Sequence, residues 1–67
     1  MIRATYYIGG VAVASRDYVT GTLTEVTDDV TLAVNTYKWI VVTSGATAQV
    51  LNTRLVERVY VHEVDEV

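Results

Sequence analysis

The sequence predicts an all-β domain, a small and strongly bent antiparallel five-stranded barrel, on three observations. Fourteen Val and ten Thr, with five Tyr and one Trp, suit a pleated and partly buried surface. Turn signals at Gly9-Gly10, Asp28-Asp29, Asn35-Thr36 and Ser44-Gly45 cut the chain into the short runs of a small barrel. No Pro guards a strand edge, so the sheet is expected to close on itself or to pair with a neighbour.

The first strand is expected from Arg3 to Ile8, ending at Gly9-Gly10, where positive φ permits a hairpin turn or a kink. Val11 to Ser15 carries small or apolar groups on both faces and chooses neither. Tyr18 to Thr27 reads as a strand, with Gly21 at a bend and a bulge near Glu25-Val26 where the alternation slips. Asp28-Asp29 then turns the chain, and Val30, Leu32 and Val34 resume the inward face, so Val19–Val34 is expected as a bent hairpin. Tyr37 to Thr43 is the most apolar strand. Neither of its faces is polar after Lys38, which places it between layers or against another subunit. Ser44-Gly45 is a turn, and Gln49–Asn52 and Arg54–His62 supply the last strands. No segment has helical spacing that demands a helix.

Sixty-seven residues make one domain, residues 1–67, near the lower limit of what folds unaided. Domains of this size usually lean on disulfides, a metal or a partner subunit. With no Cys and a single His, disulfides, thiolate sites and an imidazole cluster within one subunit are excluded. Self-association is the easiest remaining way to cover apolar surface, and the alternative is a Val-rich monomer with a Thr-coated outer face. A composition 51% apolar and only 19% charged presses the same way. The net charge of -3 and the scatter of Arg3, Arg16, Lys38, Arg54 and Arg58 argue against a broad duplex-DNA footprint. The opening residues lack the basic start and continuous apolar core of a signal peptide, and no window approaches the roughly 20 apolar residues of a membrane span. No membrane contact is expected, and the expected location is the cytoplasm.

The stretch around Gly21 resembles the first motif of the Sm-like family, particularly its bacterial Hfq branch. Gly21, Leu23, Val26, Val30 and Leu32 stand at the motif's spacings, and Asp28 lies in its acidic turn. The run VLNTRLVERVYV is similar to the second motif, with Asn52 and Thr53 near the family's Arg-Gly or Lys-His pair. The resemblance implies an Sm-like or SH3-like barrel that pairs edge strands into a ring of roughly five to seven subunits. It also implies loops offered to uridine- or adenosine-rich single-stranded RNA near a pore.

Candidate sites follow from both readings. Asn52, Thr53 and Arg54 would face the pore, and Lys38 and Tyr37 could join them as ligand or RNA contacts; Tyr18 is a weaker candidate. Exposed rings at Tyr37 and Trp39 could stack bases. Trp39, Val41, Val59 and Val61 are expected at an oligomer interface. Catalysis has no credible set of groups: His62 and Glu63 are adjacent in a strand and point to opposite faces. Asp28-Asp29 reads as a solvated turn rather than a metal site, and Glu63, Asp65 and Glu66 as a solubilising end. The expectation is a non-enzymatic, homo-oligomeric binding module without cofactor or metal, with single-stranded RNA as a ligand. The competing expectation is a structural or protein-interaction adaptor of the compact kind found in phage and viral proteins.

Overall fold

In the computed structural model, which describes residues 1–65, the order is β1 (Ile2–Ile8), β2 (Val11–Tyr18), α1 (Leu23–Thr36), β3 (Trp39–Ser44), β4 (Thr47–Asn52) and β5 (Arg58–Glu63). The strands form two antiparallel sheets, β2-β1-β5 and the hairpin β3-β4. A small, mostly β architecture is thus present, with one helix. β3 runs close to β2, but no ladder joins the two sheets among the described residues, so no closed barrel is formed.

Both hairpin turns follow from glycine. Gly9 and Gly10 have φ of 61° and 74°, the pair of left-handed residues that a tight turn from Ile8 to Val11 requires. Gly45, at φ 58°, gives the first turn position between Ser44 and Thr47 its positive φ. The irregularity expected at Glu25-Val26 lies elsewhere: the β1–β2 register shifts between Tyr6 and Tyr7.

The expected bent hairpin over Val19–Val34 is instead a helix. Thr22 caps it: its Oγ1 accepts from the Glu25 N–H at 3.2 Å, and Glu25 Oε1 accepts from the Thr22 N–H at 3.1 Å. This reciprocal box satisfies two amide donors that would otherwise be orphaned at a helix start. Val26 and Val30 are buried, and Ala33 and Val34 pack beside them, forming one helical stripe. Val and Thr are mediocre helix formers, so burial supports the helix more than propensity does. Each buried Val contributes about 1.5–3 kcal/mol. Asp28 and Asp29 sit on exposed positions of α1 rather than in a turn, and Gly21, at φ 105°, lies just before the cap. Of the residues that carry the Sm-like resemblance, Leu23, Val26, Val30 and Leu32 are therefore helical, where the resemblance implies strands.

The core lies where α1 and the hairpin meet one face of the three-stranded sheet. Ile2, Ala4 and Tyr6 of β1 alternate inward and join Val26, Val30, Ile40, Val42 and Leu51. The opposite face of that sheet is polar and aromatic. Arg3 holds Asp17 across β1–β2, Nε to Oδ1 at 2.7 Å and Nη2 to Oδ2 at 3.1 Å. Arg58 lies over the Tyr7 ring at 4.4 Å, and Tyr60 stacks on His62 with centroids 4.6 Å apart. The acidic end begins by pairing: the Val64 N–H donates to the Met1 carbonyl at 2.8 Å. Glu66 lies outside the described residues.

Candidate binding surfaces of the hairpin and its cleft

Strand alternation in β3 sends Ile40 and Val42 into the core and leaves Trp39, Val41 and Thr43 outside. Antiparallel register sets Val50 opposite Val41, and Asn52 opposite Trp39, on that same outer face. Trp39, Val41 and Val50 are 54%, 56% and 60% exposed, so the hairpin presents apolar side chains on both faces. The expectation of a strand apolar on both sides is met, with only the inner side covered by the chain itself.

Thr53 ties this hairpin's open end. Its Oγ1 donates toward the Tyr37 carbonyl at 2.7 Å and the Lys38 carbonyl at 3.1 Å, and its N–H donates to the Lys38 carbonyl at 2.9 Å. Asn52 Oδ1 accepts from the Arg54 N–H at 3.0 Å and shapes the exit turn. The five residues expected as ligand contacts, Tyr37, Lys38, Asn52, Thr53 and Arg54, thus fall at one end of the hairpin. Thr53 has its hydroxyl committed to backbone. Lys38 and Arg54 are exposed, and no ion pair or hydrogen bond engages their side chains among the described residues.

The four residues expected at an interface divide. Trp39 and Val41 lie on the outer hairpin face, whereas Val59 and Val61 alternate inward on β5 and pack against the core beside α1. Both are half-buried, and they also border a groove beside α1.

Beside the hairpin, a cleft of about 550 Å³ opens between β2, α1 and β3. Tyr6, Tyr18, Tyr37 and Trp39 line it, with Val30, Ala33, Ile40 and Val41 as its apolar wall and Arg16 and Asp29 as its charged groups. The Arg16 guanidinium lies over the Tyr18 ring, 4.8 Å from its centroid. Burial first, and then the neighbouring Tyr18, push the Tyr6 hydroxyl up to about 12, and the nearby positive charge of Arg16 partly opposes them. Tyr6 is therefore a neutral phenol at ordinary pH. Sequence reading found the β3 side of this cleft but missed Arg16, Tyr6 and Asp29, because their convergence depends on α1 crossing the sheet.

His62 faces outward against Tyr60, and no group of three His, Asp or Glu gathers as metal ligands among the described residues. No described helix is long and apolar enough to cross a membrane. Comparison with protein-family models, curated proteins and solved structures finds no match.

Proposed function

We propose that this chain is a non-enzymatic binding module that associates with copies of itself through the outer face of the β3–β4 hairpin. The observation that carries the proposal is the exposed cross-strand pair Val41–Val50 with Trp39 beside it. A hairpin with two apolar faces is stable as a layer between two others, and this chain supplies one of them. Neither β3 nor β4 carries a charged residue or Pro to discourage pairing along its edge. The chain exposes 4739 Å², above the roughly 4200 Å² expected of a folded monomer of its mass, so it has surface to bury.

Light scattering tests this directly. A mass at a multiple of 7.4 kDa is expected, with Val41→Asp and Val50→Asp returning it to one chain while circular dichroism stays β-rich. A wild-type mass of one chain at all concentrations overturns the proposal. The ring of roughly five to seven subunits rests on the Sm-like resemblance alone. The proposal therefore stops at self-association.

A second reading, binding of single-stranded RNA at the hairpin's open end, is favoured by the free cations of Lys38 and Arg54 beside the exposed Tyr37 ring. Titration with U-rich and A-rich strands tests it. Lys38→Glu with Arg54→Glu is expected to abolish the binding, and wild type that does not bind excludes this reading.

A further inference from the structure

The cleft between β2, α1 and β3 adjoins both surfaces just proposed: Trp39 and Val41 border it and the hairpin face alike, and Tyr37 borders it and the hairpin's open end, whereas Arg16 and Asp29 belong to the cleft alone. We propose that it binds a planar aromatic ligand carrying an anionic group, of the purine nucleotide class.

Three features of the cleft select that chemistry. Aromatic residues reach the cleft from three different strands, Tyr6 from β1, Tyr18 from β2 and Trp39 from β3, with Tyr37 just ahead of β3, so its lining is rich in ring surface. Ring-on-ring contact favours any planar heterocycle, because every base offers a π-face. The second feature is Arg16, the cleft's only cation. No carboxylate pairs with it among the described residues, and stacking on Tyr18 holds its guanidinium in place, leaving its N–H donors for a phosphate. The third is Asp29 on the α1 wall, likewise unpaired, which can accept from the exocyclic amino group of a base.

Size and chemistry agree. About 550 Å³ lies within the usual range of small-molecule sites, roughly 300–1,000 Å³, and holds a bicyclic base with its sugar and phosphate. Arg16 and Asp29 are both exposed, so they can meet the polar groups of a ligand at the cleft mouth.

The same chemistry is offered by a free mononucleotide and by the 5′-phosphorylated end of a single strand, and the experiment separates them. AMP, adenosine, inorganic phosphate and a 5′-phosphorylated oligoadenylate are titrated by calorimetry, with the fluorescence of Trp39, the only Trp, as a second signal. Each titration is run on the wild-type chain and on Val50→Asp, whose substitution lies outside the cleft. AMP is expected to bind saturably, with adenosine at least about tenfold weaker for want of the phosphate contact to Arg16. Arg16→Gln and Asp29→Asn should each weaken AMP, the first by about tenfold or more, while Arg58→Gln, on the opposite face of the sheet, leaves it unchanged. Two variants on different walls guard against one simply misfolding, which circular dichroism reports. Arg16-dependent binding of the oligonucleotide but not AMP assigns the ligand as a strand end and also supports the site. No saturation by either at millimolar concentration, or binding indifferent to both substitutions, overturns it. Because light scattering reads self-association separately, a monomeric wild-type chain leaves this result intact.

Discussion

The helix Leu23–Thr36 and the hairpin Trp39–Asn52 are segments of equal length, each with three Val, and they fold in opposite ways. The helical segment carries Glu25, Asp28 and Asp29 on its solvated side, so it needs only one covered face. The hairpin has no charge at all and covers one face while exposing another that is equally apolar. Composition does not separate helix from strand here. The capping box at the start of Leu23–Thr36 favours a helix, and burial of one face of that segment decides it. The same contrast explains why the hairpin leaves Trp39, Val41 and Val50 exposed together on one face.

Substitutions sharpen this contrast. The largest effect is expected from Ile40→Ala, on the buried side of β3, which should cost about 2–5 kcal/mol in urea unfolding. Val41→Asp, one residue away on the outer side, should leave the fold intact and lower the assembled mass. Equal destabilisation by the two would mean that the faces of β3 are not distinct. Next, Thr22→Ala removes half of the capping box and should cost about 1 kcal/mol, with the loss of ellipticity at helical wavelengths. An unchanged helical signal and stability would show that tertiary burial alone holds α1.

A pH-dependent effect follows for Tyr6. Its folded hydroxyl titrates at about 12 against an ordinary 10, so the folded state keeps a proton that the unfolded chain gives up. That contribution to stability is complete below about pH 10 and is lost as pH rises toward 12. Stability curves over this window should flatten in Tyr6→Phe, and an unaltered slope would place the alkaline loss elsewhere. The smallest expected effect is diagnostic for α1. Thr31 is exposed, and its hydroxyl donates back to the Thr27 carbonyl at 2.7 Å. Thr31→Ala should gain roughly 0.5 kcal/mol in a helix, whereas the same change in a strand would weaken it.

Much of the β structure was legible. Gly9-Gly10 and Ser44-Gly45 became the two hairpin turns, and the strands near Arg3–Ile8, Tyr37–Thr43 and Arg54–His62 all exist within shifted limits. Tyr37 and Lys38 lie beside Thr53, whose hydroxyl reaches the carbonyls of both. The helix was missed for a definable reason. Val26, Val30 and Val34 are spaced by four, which satisfies an alternating strand and one helix face equally well. Leu32 separates the readings: a strand buries it with Val30 and Val34, and it is 66% exposed. The one local signal that favoured the helix was Thr22 followed three residues later by Glu25.

By itself, then, the chain's order of Gly, apolar and polar residues determined the two tight turns, the β-rich content and the doubly apolar character of β3. Only the tertiary structure decided the state of Leu23–Thr36, because Val and Thr leave local preference close to balance and burial of Val26 and Val30 against the sheet tips it. It also decided where Arg16, Asp29 and the aromatic rings meet, since those residues are distant in sequence and share a cleft only once α1 lies across β1 and brings β3 alongside β2.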